Sequence, residues 1–187
     1  MKVVFIAFDS TELSNRLASA LAEHAQVTLM LPREQSEPNL GFLSPDVSYR
    51  PFHRPRLRQA FRQIRAIARI VNDIRRLDPD VIHMQKWHLW FYLALPALSR
   101  FPLVISIHDP FPHLGDRGAM KTPRSIIRFG YRRATRAIVH NNDMRRIVVD
   151  ELGLSPESID IVPLIERGDA SLGVDIQERN NEILFFG

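Results

Sequence analysis

Short apolar runs alternate with longer amphipathic stretches along most of this chain, the pattern left when buried parallel strands are joined by helices that cross the faces of one sheet. Strands are predicted at residues 2–8, 26–31, 47–50, 81–84, 103–107, 137–140, 159–162 and 182–186. Helices are predicted between them at 11–24, 56–77, 87–99, 123–135 and 142–152. Asp9 and Glu12 stand at capping-box spacing before the first helix, whose Leu13, Leu17 and Leu21 share one face. The second helix ends before Asp78-Pro79, Pro96 disturbs the third, and Gly153 stops the last. The fold class is therefore α/β, a Rossmann-like doubly wound, mainly parallel sheet with helices on both faces.

A chain of 187 residues suffices for one large domain. That domain is expected over residues 1–162, followed by a polar, acidic linker at 163–181. Residues 182–187 then read as the first strand of a second domain cut at its threshold. The chain has no cysteine, which excludes a disulfide framework and thiolate metal sites. It opens on a strand without a basic leader, and its longest apolar stretch, 89–98, is too short to cross a bilayer and carries Pro96. A cytoplasmic protein, peripheral on the inner membrane face, is the expectation.

Chemistry in such a sheet gathers at the carboxyl ends of the strands. The strand at 103–107 runs straight into His108-Asp109-Pro110-Phe111-Pro112-His113, which brings two imidazoles and a carboxylate to that edge. His108 and Asp109 are the catalytic candidates. The loops at 32–46 and 109–122 interrupt the compact rhythm and are expected to bind something. Asp9 and Ser10 after the first strand, Trp87 and His88 after the fourth, His113, and Asn141 after the sixth are the substrate-binding candidates. Trp90 and Phe91 are expected to pack in the helix-sheet interface. His108, His113 and Asp116 do not make a metal site, because Pro110 and Pro112 extend the loop and no third histidine has a defined position. No metal is expected.

These residues resemble the N-terminal half of a family 4 glycosyltransferase of the GT-B architecture. The similarity lies in Asp80-Val81-Ile82-His83, in the loop His108-Asp109-Pro110 with Pro112-His113 and Gly115, in Ala137-Ile138-Val139-His140, and in Ile183 to Gly187. The resemblance implies two Rossmann-like domains facing a cleft, transfer of a sugar from a nucleotide-sugar donor to an acceptor hydroxyl with retained configuration, and no catalytic metal. It places His108 near the donor sugar and the breaking bond, with Asp109 orienting the ring or binding an acceptor hydroxyl. The donor belongs to the missing C-terminal domain, so no cofactor is expected on this chain and the fragment alone is expected to be inactive. Phe8-Asp9-Ser10-Thr11 lacks the glycine pair common in the family, and Val162-Pro163-Leu164-Ile165 lacks its Asn-Gly or His-Gly continuation. Polysaccharide or lipid-linked glycan synthesis is the family-level expectation, with a sugar or lipid-linked acceptor as partner.

Charge is segregated. Residues 50–146 hold 20 Lys and Arg against 6 Asp and Glu, a net of +14, between acidic flanks. Within the second predicted helix, Arg58, Arg62, Arg65, Arg69 and Arg76 fall on one arc, opposite Ile64, Ile67, Val71 and Ile74, with no acid in the stripe. An anionic membrane surface and a merely solvated face are the two readings of that stripe. Nucleic acid is not the expected partner, for there is no zinc-finger spacing and no RNP-like aromatic strand. A non-catalytic flavodoxin-like or receiver-like binding domain, or an anion- or nucleic-acid-binding module, is the alternative to the transferase.

Overall fold

The computed structural model describes residues 1–9, 11–36, 40–41, 43–86, 88–111 and 123–164. Seven strands make one sheet: β1 (Lys2–Ala7), β2 (Gln26–Pro32), β3 (Ser48–Phe52), β4 (Val81–Gln85), β5 (Leu103–Ser106), β6 (Arg136–Val139) and β7 (Ile159–Ile161). Every neighbouring pair is parallel, in the spatial order β3-β2-β1-β4-β5-β6-β7. The order reverses between β1 and β4, and it is at such a switch point that sheets of this kind bind their ligands. The helices are α1 (Thr11–Ala22), α2 (Arg33–Ser36), α3 (Ala60–Leu77), α4 (Leu89–Ala94), α5 (Arg124–Arg132) and α6 (Asn142–Asp150).

Strand periodicity explains the layers. Successive residues of β1 point to opposite faces. Val3, Phe5 and Ala7 pack with Val27, Leu29 and Leu31 of β2 and with Ala18 of α1. Val4, Ile6 and Phe8 meet Ile67, Ile70, Val71 and Ile74 of α3, and this second core continues through Phe91, Ile127 and Val148 of α4, α5 and α6. Both faces of β1 are thus buried, which is why its sequence reads as an unbroken apolar run.

Each strand predicted within the described residues is present, with ends shifted by at most two positions. The predicted strand at 182–186 and the linker from 165 onward lie outside the described residues, as does most of the 109–122 loop. The 32–46 loop is shorter than expected, because α2 continues directly from β2, with the Ser36 hydroxyl donating to the Pro32 carbonyl at 2.8 Å. The predicted second helix begins four residues late. Residues 56–59 form a turn in which Gln59 Oε1 accepts from the Arg56 amide at 3.2 Å, and Gln63 Nε2 donates back to the Pro55 carbonyl at 2.6 Å. As foreseen, Pro96 ends the third helix, which finishes as a 3₁₀ turn over Leu95–Leu98. Gly153 lies in the left-handed region at φ 71° and closes the turn after α6 with a 5→1 bond from its amide to the Val149 carbonyl, the αL type of C-terminal cap.

Candidate functional site at the carboxyl ends of β4, β5 and β6

The parallel register assembles the site. Gln85 pairs with Ser106 and Ser106 with Ile138, so two further residues along β5 and β6 bring His108 level with His140. Gln85 is the last residue of β4 and 1% exposed. His108 is half-buried between the two: its Nε2 lies 3.2 Å from Gln85 Oε1 and its Nδ1 lies 2.8 Å from His140 Nε2. The two imidazoles stack with centroids 4.7 Å apart. His140 Nδ1 in turn lies 2.9 Å from the carbonyl of Val162, at the exit of β7. One chain of polar contacts therefore links β4, β5, β6 and the end of β7.

Burial, and then the His140 ring, push the His108 ring down to about 4, against Asp109 and Asp9, which favour its charged form. His83, inside β4, places Nε2 2.8 Å from the Ser106 hydroxyl and meets Phe5 edge-on at 4.6 Å. Burial, and then His108, push it down to about 4. Both rings are neutral at physiological pH. A neutral imidazole has one donor and one acceptor, so His108 offers a substrate a directed hydrogen bond rather than a charge.

Across the switch point, Lys86 Nζ pairs with Asp9 Oδ2 at 3.4 Å, joining the turn after β4 to the turn after β1. Lys86 holds a left-handed backbone at φ 57°, an unusual conformation for a residue with a side chain. Asp9 thus stands at the exit of β1, tied to the end of β4. Asp109 is half-buried beside His108. The structure puts two other candidates to different work. Asn141 caps α6, its Oδ1 accepting from the Met144 amide at 2.8 Å. His88 is 4% exposed, and its ring lies flat on Phe8, 4.0 Å away and 6° from parallel. Its surface is spent on packing, and in this arrangement it presents none to an acceptor. Ser10, Trp87 and His113 lie outside the described residues, as does Asp116. Trp90 and Phe91 pack as expected: Phe91 is buried, and Trp90 Nε1 donates to the Leu57 carbonyl at 3.2 Å. Among the described residues no three metal-ligating side chains converge.

The arginine stripe is real but narrower than the sequence suggests. Arg58 precedes α3 and does not share its surface. Arg62, Arg65 and Arg69 line a groove of about 420 Å³ against Pro51, His53 and Pro55. Asp73 lines the same groove and lies 4.0 Å from Arg76, so an acid does interrupt the stripe. The opposite face is not wholly buried, for Ile64 is 55% exposed. With Leu93 of α4, itself 50% exposed, Ile64 borders a second, apolar groove of about 410 Å³. Phe61 stands 89% exposed at the start of the helix.

Sequence reasoning missed Gln85, Lys86 and His140 as site residues. Gln85 and His140 directly follow the last apolar residue of their strands and Lys86 comes one later, and that position is the signal. It becomes readable only once β4, β5 and β6 are known to be neighbours.

No curated protein sequence matches the chain. Its fold is similar to that of UDP-N-acetylglucosamine 2-epimerase from Rickettsia bellii, with a TM-score of 0.63 and 17% identity over 85% of this chain and 43% of that one. It is similar to MurG from Acinetobacter baumannii, at 0.57 and 13% over 91% and 47%, and to the lipopolysaccharide outer core galactosyltransferase WaaB in its apo form, at 0.59 and 11% over 87% and 45%. The chain spans less than half the length of each. Together with the seven-stranded parallel sheet, these likenesses give the N-terminal domain of a GT-B fold. Residues 13–164 match the model of Glycosyltransferase Family 4, and the chain belongs to that family.

Proposed function

We propose that this chain forms the acceptor-side half of a glycosyltransferase that moves a sugar from a nucleotide-sugar donor to an acceptor hydroxyl with retained configuration. The observation that carries this reading is the position of His108: it stands at the carboxyl end of β5, within electrostatic reach of the Asp9–Lys86 pair that spans the switch point. In the proposed enzyme a C-terminal domain holds the donor, so a complete site needs both halves. His108 then donates a hydrogen bond to an oxygen on the donor sugar or leaving phosphate, where charge develops in the transition state. Asp109 orients the ring or receives an acceptor hydroxyl. Asp9, Ser10, Trp87, His113 and Asn141 surround the acceptor, with the Asn141 backbone rather than its committed side chain as the available group. His88 supports the crevice from within.

The acceptor we favour is lipid-linked or a growing polysaccharide, met on the cytoplasmic face of a membrane. Support comes from α3, where Arg62, Arg65 and Arg69 share a side of the helix with exposed Phe61. Cations suited to anionic headgroups lie next to an apolar ring suited to the acyl boundary.

The test is His108→Ala in the protein carrying its donor domain, assayed by sugar transfer from nucleotide-sugar donors. Loss of one preorganised donor at a developing charge should lower turnover by about 100-fold. Because the half-buried ring leaves no large void, the melting temperature should stay within a few degrees, on the order of a 1 kcal/mol change. Turnover close to wild type removes His108 from the mechanism.

A further inference from the structure

The polar contacts around His108 admit only one consistent placement of protons while both rings are neutral. Val162 presents a carbonyl oxygen, so His140 Nδ1 must carry the hydrogen that faces it. His140 Nε2 is then a bare acceptor, and the hydrogen between the two imidazoles belongs to His108 Nδ1. That leaves His108 Nε2 bare as well, and it needs a donor from Gln85. Gln85 Nε2 is buried without a hydrogen-bond partner, while Gln85 Oε1 occupies the position nearest the ring. Rotating the amide by half a turn pairs the orphan NH2 with the bare nitrogen. The opposite placement leaves the amide NH2 orphaned and sets two lone pairs against each other at Val162.

We infer that Gln85 and His140 are positioning residues that fix His108 in a single tautomer, with its proton on Nδ1, and so make it a hydrogen-bond donor at that atom. Gln85 is the fixed member, sealed at the end of β4. His140 is the exchangeable one, because its ring is only partly buried and its bond to Val162 is exposed. Its Nε2 occupies the place of an acceptor oxygen, which a sugar hydroxyl or phosphate oxygen takes over when the ring swings aside. This assignment rests on the transferase reading for its purpose but not for its test.

The test is nitrogen-detected NMR of imidazole-labelled protein at pH 8, which reads which ring nitrogen is protonated. Wild type should show His108 with a protonated Nδ1 and a bare Nε2. Gln85→Glu replaces the donor with an acceptor of the same shape and should move the proton to Nε2. Gln85→Leu combined with His140→Ala, which removes both constraints and asks nothing of a buried carboxylate, should leave the two tautomers mixed. His140→Ala should remove the coupling between the rings and let His108 reorient. A wild-type His108 protonated at Nε2 overturns the inference, as does an unchanged tautomer in both Gln85 variants. If the tautomer is confirmed and His108→Ala still transfers sugar, the positioning stands and the transferase role of His108 falls instead.

Discussion

His83 and His88 sit where a charged imidazole loses its water and gains nothing in return. Burial accounts for most of both shifts, taking His83 down to about 4 and His88 to about 3, with His108 and Arg54 adding smaller contributions of like charge. For His88 the isolation is complete, since neither ring nitrogen has a hydrogen-bond partner. Unfolded, each residue titrates near 6.5. On acidification the unfolded chain therefore takes up protons first, so stability is full above about pH 6.5 and is lost as pH falls toward these depressed values. At pH 5 each histidine should cost about 2 kcal/mol. Urea unfolding at pH 7 and pH 5 measures the loss, and this window lies above the range in which Glu34, lowered by a backbone hydrogen bond and then by His53, and Asp160, lowered by its hydrogen bond with Arg136, begin to contribute. His88→Phe keeps the ring stacked on Phe8 while removing two unpartnered atoms. It should be at least as stable as wild type at pH 7 and should lose about 2 kcal/mol less between the two pH values. Equal losses in the two proteins would show that His88 can be solvated in the native state.

Among the elements, α5 shows how tertiary contact overrides local preference. Gly130 lies in the last turn of α5, still at a helical position, where alanine is favoured over glycine by up to about 1 kcal/mol. A methyl group there would overlap the ring of Tyr92, which is wholly buried between α4 and α5. Overpacking of this kind costs about 1–3 kcal/mol, and the ring has no room to withdraw. Gly130→Ala should therefore lower the melting temperature despite its better helix propensity. In a Tyr92→Leu background the same change should be neutral or stabilising, and a higher melting temperature for Gly130→Ala alone would contradict the close approach. The sequence shows Gly130 but not Tyr92 against it, and this is the general limit of what was legible. Strands were readable because burial on one or both faces writes itself into composition, as in Val3 to Phe8 and Leu103 to Ile107. Capping was readable at Gly153 and at Asp78-Pro79, where backbone geometry demands particular residues. The start of α3 was not, because Gln59 and Gln63 hold the preceding turn by side-chain bonds that leave no periodic trace. The site was half legible: His108 announced itself by ending a strand, whereas Gln85 and His140 acquire meaning only through the order of three strands.

At the scale of the molecule, the basic middle of the sequence spreads over several surfaces, and on α3 its charge coincides with Phe61, an aromatic ring 89% exposed. Among the described residues Arg76 alone of the α3 arginines has an acid at ion-pair distance, Asp73, which also lines the groove of Arg62, Arg65 and Arg69. No helix among the described residues is long and apolar enough to cross a membrane. An arginine near an anionic leaflet is worth about 1 kcal/mol, so Arg62, Arg65 and Arg69 together contribute about 3 kcal/mol, on the order of 100-fold in binding. Insertion of the Phe61 ring adds about 2 kcal/mol. The two contributions separate by salt, since screening shortens the reach of charge from about 10 Å at 0.1 M to about 3 Å at 1 M and leaves hydrophobic contact intact. Sedimentation with vesicles rich in phosphatidylglycerol should show binding that weakens steeply with salt and is absent with pure phosphatidylcholine. Reversing the three arginines to glutamate should abolish it. Phe61→Ser should weaken it about thirtyfold with the salt slope unchanged, because the charges remain. Binding indifferent to salt, or equal on neutral vesicles, would make this stripe a solvated face and leave the acceptor without a membrane to be met on.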